Sequence, residues 1–207
     1  MKTPAIPDRI LSRNDVVALW FFLVVGAALV VMTAVFAGAR IVDAVSATTI
    51  QVPGEFSGTT AEAAIGPDGA PRTVELDSAF LITDGMSVAG RAAIVVEQVL
   101  AVASTATVVG CLIALSVSVL RGRVFSRRNT VLVNIAGAAA LCDIAVVPFF
   151  GNMAANDAFR AISDGTFNNV IMTGDLTTLF LAAFVVATAS MVFTIGDRLQ
   201  RDTEGLV

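Results

Sequence analysis

The chain has 207 residues, of which 56% are hydrophobic and only 14% charged, with mean hydropathy +0.83 and net charge −4. An ordinary soluble domain of this length is excluded, because it could not hide so much apolar surface. The absence of histidine removes imidazole-held haem, zinc or copper and histidine proton relays.

The charges are segregated, leaving runs of about 20 apolar residues, enough to cross a hydrocarbon core of about 30 Å. A β-barrel would show short alternating segments instead. The expected class is therefore an all-α integral membrane protein, a four-helix bundle with a small β-containing extracytoplasmic loop.

Residues 1–15 read as a cytoplasmic tail in which Pro4 and Pro7 discourage a helix, with Asn14 or Asp15 capping the first span. That span is expected over 16–38, with Trp20, Phe21 and Phe22 at its inner end in an aromatic belt. Ala37-Gly38-Ala39 resembles a signal-peptidase site, but the apolar run exceeds the usual signal core of about 7–15 residues, so the segment is read as a retained span.

Residues 39–91 turn polar and acidic, with seven carboxylates against three arginines. The β-branched stretch 48–52 is expected to be extended and to stop at Pro53-Gly54. Gly66-Pro67-Asp68-Gly69 signals a turn. Residues 72–77 alternate polar and apolar as a half-buried strand does, and 79–83 could prolong it. These segments make a two- or three-stranded cap, too small to stand alone and so expected to rest on the helix ends or a partner.

The second span lies within 92–120, longer than a bilayer needs, so it should tilt or project outward. Ala106, Gly110, Ala114 and Ser118 form a small-residue stripe of the kind that lets helices pack closely. Next comes Arg121-Gly122-Arg123-Val124-Phe125-Ser126-Arg127-Arg128-Asn129, four arginines in nine residues between two apolar runs. Such a segment cannot enter hydrocarbon and marks a cytoplasmic hairpin. The third span is expected over 130–150, thin at 136–140 and bent at Pro148. A second outer loop, 151–175, is expected to hold a short interfacial helix over 153–163 with Phe159 and Ile162 on its apolar side. The fourth span covers 176–195, with Ala183, Ala187 and Ser190 as a close-packing edge, and 196–207 is a second cytoplasmic tail.

Nine Lys and Arg fall on the side of the arginine hairpin and four on the other, so both termini are expected inside. Twelve of the thirteen basic residues are arginine, a bias that fits a GC-rich bacterial genome and hence a bacterial plasma membrane.

The arginine hairpin resembles the basic, Gly-x-Pro-Phe-Ser-like, Asn-containing turn of a bacterial four-helix membrane family catalogued as domain of unknown function 2975. The tail Gly196-Asp197-Arg198-Leu199-Gln200-Arg201-Asp202-Thr203-Glu204-Gly205-Leu206-Val207 resembles the end of that family, where an acidic helix terminus runs into Glu-Gly-Leu-Val. Val124 stands where the family often has proline. Members are often encoded beside small helix-turn-helix regulators, so the resemblance implies regulation and no established activity.

Asp143 is the sharpest candidate for chemistry, since its position puts a carboxyl well inside the third span. A charge there costs about 2.5–3.5 kcal/mol on insertion scales, so it should face the bundle interior and be paired or protonated. By depth, Thr33, Ser104 or Thr105 could reach it. The site would be either a proton- or ion-binding point or a structural bond between helices. Glu97, near the outer mouth of the second span, is expected at the interface, paired with Arg40 or Arg91 or solvated. Arg121, Arg123, Arg127 and Arg128 form a candidate docking patch for anionic lipid or an acidic protein, with Phe125 anchored among headgroups. Cys111 and Cys142 read as buried free thiols. No Walker, G-x-S-x-G, H-E-x-x-H or calcium-loop pattern is present. The expectation is a non-enzymatic interaction, regulatory or accessory membrane protein with lipid and protein partners, without cofactor, metal or nucleic acid. The alternative is a small proton- or ion-linked transporter or channel centred on Asp143.

Overall fold

The computed structural model describes residues 13–167 and 175–204. Four long helices carry the fold: α1 (Arg13–Ser46), α2 (Val88–Leu120), α3 (Arg127–Ile162) and α4 (Leu176–Glu204). All four are long and apolar enough to cross a membrane. Strands β1 (Ile50–Ala63) and β2 (Arg72–Thr83) form one antiparallel hairpin between α1 and α2. The protein is thus a multi-pass four-helix membrane protein with a small β loop. The first twelve residues of the expected tail, residues 168–174 of the second loop and the Gly205-Leu206-Val207 end of the tail motif lie outside the described residues.

Helix packing follows chain order. Among the described residues, α1 packs on α2, α2 on α3 and α3 on α4, and no other helix pair makes sustained contact. The four helices form an open row, with α1 and α4 at its edges. Their outward faces carry Phe21, Val35, Phe36, Phe180, Leu181 and Phe184, all strongly exposed. In water this would be intolerable; in hydrocarbon it costs nothing.

Burial is concentrated at the β end. Val52, Ile94, Ala154, Ala158 and Phe159 are nearly inaccessible and form one core with Ile50, Leu81 and Met86. The hairpin rests on the ends of α2 and α3, as its small size requires. Strand β1 does not stop at Pro53-Gly54. A two-stranded ribbon has two edges, and Pro53, opposite Phe80, is tolerated where no ladder donor is required. The register slips between Glu55 and Thr59, with Gly58 at φ +64° inside the irregularity. Phe56 lies in this bulge, its ring edge-on to Phe159 at 5.1 Å.

The helices overrun their expected ends. α1 continues to Ser46, and Arg91 explains how: its guanidinium donates to the carbonyls of Ala44 and Ala47, both at 3.0 Å, capping the helix from α2. The separate interfacial helix expected over 153–163 is the far end of α3, which runs unbroken through Pro148. There Phe159 packs under the β-hairpin instead of in lipid. At the start of α4, Asp175 accepts from the Thr178 hydroxyl and, at 3.0 Å, from its backbone N–H. Those two bonds hold its carboxyl below the usual value.

Candidate functional site

The functional candidates gather along the seam between α2 and α3, and the turn joining these helices sets its register. α2 ends in a Schellman motif: Gly122 takes φ +78°, its N–H bonds the Val119 carbonyl and the Arg123 N–H bonds that of Ser118. Ser126 caps α3 by accepting from the Asn129 N–H. Asn129 is wholly buried, and its amide donates to the carbonyls of Arg123 at 2.6 Å and Val124 at 2.9 Å. The Ser118 hydroxyl bonds the same Arg123 carbonyl. Ser118 and Asn129 therefore face one another at the foot of the seam.

From there the antiparallel register climbs in steps of seven residues on α2, two helical turns at a time. Cys111 and Ala136 line one apolar cavity of about 330 Å³, bounded by α4 on its far side. Ser104 meets Asp143, its hydroxyl 2.6 Å from Oδ1. Glu97 lies over Gly151, where an added Cβ would come within 2.9 Å of its Oε1. Gly90 lies under Asp157, whose Oδ2 accepts from the Ser87 backbone N–H at 2.8 Å. At each of the three upper steps a carboxylate of one helix sits against a small residue of the other. Asp157 caps α2 from across the seam, an acid at a helix N-terminus. Sequence reading missed it; the signal available was Ser87 and Gly90 marking that helix start.

Of the three expected partners of Asp143, the structure joins only Ser104 to it. Thr33 donates to Leu29 of its own helix at 3.0 Å, and α1 packs on α2 instead of α3. Thr105 follows Ser104 in the chain and so points about 100° away around α2. Asp143 does not face an enclosed interior: its residue is exposed on α3, whereas Ser104 is buried. The Ser104 hydroxyl has one proton and three acceptors in range, Leu100 O at 2.9 Å, Ala101 O at 3.2 Å and Asp143 Oδ1. A second intramembrane bond links α3 to α4, where Ser190 donates to Asn134 Oδ1 at 2.6 Å.

Glu97 is half-buried in the wall of a cavity of about 320 Å³ enclosed by the β-hairpin and the ends of α1, α2 and α3. Gln98 hydrogen-bonds its side chain and the Arg40 charge acts on it. Arg91, the other expected partner, is committed to α1. Arg40 reaches β1 instead of closing on Glu97, donating to Gln51 O at 2.9 Å.

At the opposite end Arg121, Arg123, Arg127 and Arg128 are all exposed. Phe125 is not turned out toward headgroups: its ring lies on Gly196 of α4, where a Cβ would collide with it, and edge-on to Phe193 at 5.7 Å. It locks the turn to α4. Of the expected close-packing residues, Ser118 lies at the foot of the α2–α3 seam and Ser190 bonds across to α3, but Gly110 does not pack on a neighbour. Gly110 faces open space, whereas Gly26 meets Val109 and Gly137 meets Val186. Cys111 and Cys142 are free and half-buried.

Among the described residues, no three metal-ligating side chains converge. No family model, curated protein or solved structure matches the chain.

Proposed function

We propose that this chain is a non-enzymatic subunit or regulator of a larger membrane assembly. One observation carries the reading: Asp143, an ionisable residue within a membrane-crossing helix, is exposed on the face of α3 and is held by a single neighbour. Facing lipid, it would cost about 2.5–3.5 kcal/mol. A second polypeptide against that face removes the cost. The open row supports the same reading, since edge helices with one neighbour each leave room for further helices. The hairpin and tail motifs, through their resemblance to the domain of unknown function 2975 family, point toward regulation as well. In this reading both termini lie in the cytoplasm of a bacterium, and the four exposed arginines lie on the anionic cytoplasmic leaflet, each contributing about 1 kcal/mol. The test is gentle extraction followed by mass determination of the intact particle. A multimer or a co-purifying membrane chain is expected; a strictly monomeric, partner-free protein overturns the proposal.

The alternative is a proton- or ion-linked flux centred on Asp143. In its favour, Asp143 lies on the seam between two cavities, one reaching down to Val147 and the other up to Ala140. Under this reading Asp143→Asn abolishes flux in liposomes without disturbing helix packing. Absence of flux in the unaltered protein removes the alternative and leaves the first reading standing.

A further inference from the structure

The cavity beneath the β-hairpin sits at a definite depth. Count along α1, α2 and α3 from Val16, Leu120 and Thr130, the apolar residues nearest the arginine end. Arg40, Glu97 and Gly151 then lie about 31–36 Å away at about 1.5 Å per residue. A hydrocarbon core spans about 30 Å and a headgroup layer adds about 5–7 Å on each face. The cavity therefore opens in the headgroup layer on the β-hairpin side. Its volume of about 320 Å³ lies within the range of small-ligand sites.

Its lining is dipolar. Val52, Ile94, Pro148 and Ala154 supply apolar wall, Arg40 supplies a positive charge and Glu55 and Glu97 supply negative ones, and Arg40 and Glu97 are not ion-paired to each other. Arg40 and Glu97 are held in place. Arg40 is tethered through one nitrogen to Gln51, which leaves a planar fork with further donors. Glu97 occupies the space that Gly151 leaves by lacking a side chain. A simple anion would meet Glu97 and a simple cation would meet Arg40. A ligand with both charges satisfies both ends.

We propose that this cavity binds a head group carrying a phosphate and a primary ammonium, the phosphate on Arg40 and the ammonium on Glu97. The guanidinium fork matches phosphate oxygens, and a primary ammonium offers three N–H donors to the carboxylate. A quaternary ammonium offers none. The ligand is either an ethanolamine phospholipid of that leaflet or the same head group free in solution.

The test uses the full chain in detergent, with lipid adducts counted by native mass spectrometry. Ethanolamine, choline and glycerol phospholipids with identical acyl chains are compared. The ethanolamine lipid is expected to bind about tenfold tighter than the other two, a difference of about 1.4 kcal/mol. Glu97→Gln should reduce that preference to near unity. Arg40→Gln also severs the Gln51 bond, so Asn152→Leu serves as the second variant, filling the cavity without removing either charge and weakening ethanolamine-lipid uptake. Soluble glycerophosphoethanolamine separates the sources: competition identifies the free head group as occupant, and no competition identifies the lipid. Equal uptake of all three lipids, or an ethanolamine preference unchanged by Glu97→Gln, overturns the proposal.

Discussion

Two glycines on α2 should respond in opposite ways to the same substitution. At Gly90 an added Cβ would overlap Asp157 Oδ2 and lie 2.7 Å from its Cγ, far inside contact distance. Asp157 must then withdraw, breaking its 2.8 Å bond to the Ser87 N–H. Losing that charge-assisted bond costs about 1.5–3 kcal/mol, and the crowding adds about 1–3 kcal/mol. Alanine returns about 0.5–1 kcal/mol through helix propensity. Gly90→Ala should therefore destabilise by about 1.5–5.5 kcal/mol, the sum of these terms. At Gly110 nothing lies within 4 Å of the added Cβ, so Gly110→Ala should be neutral or stabilising by up to about 1 kcal/mol. The assay is thermal denaturation of both variants in one detergent, monitored by loss of helical circular dichroism. If the two glycines behave alike, or Gly110→Ala is the more damaging, the α2–α3 seam is wrong.

Other positions make sharper local tests. Asn129→Asp turns a buried double donor into an acceptor facing the carbonyls of Arg123 and Val124, and should destabilise by about 2 kcal/mol or more; an unchanged melting temperature would contradict the buried turn. Asp175 has a carboxyl pKa lowered by bonds from Thr178. Its contribution is thus complete above the unfolded value of about 3.9 and is lost as pH falls through the lower folded value. Hydrogen exchange at the Thr178 amide should accelerate across that acid range in the native protein and be fast throughout in Asp175→Ala. An exchange rate that ignores both changes would refute the cap.

Membrane crossing was legible because hydropathy and charge segregation report directly on solvent. The β-hairpin was legible because alternation at 72–77 and the Gly66–Gly69 turn are local signals. Helix ends were not, because a polar transition marks where the bilayer stops, and α3 goes on to Ile162 by packing Ala154, Ala158 and Phe159 under the sheet. Asp143 was found from its depth alone. Choosing Ser104 over Thr33 required knowing that the helices lie in a row, and that order depends on contacts far apart in the chain. Phe125 reads as a lipid anchor in the sequence because nothing near it announces Gly196, its actual seat. The same lack of long-range information places Gly110 in a close-packing stripe although it faces open space.

In the proposed assembly another polypeptide covers the exposed Asp143 face of α3. Val146 is 38% exposed and lies one turn from Asp143 on the same helix. A photo-crosslinking amino acid at position 146, activated in intact membranes, tests this most directly. A discrete covalent adduct with a second protein chain is predicted, and adducts with lipid alone would contradict it.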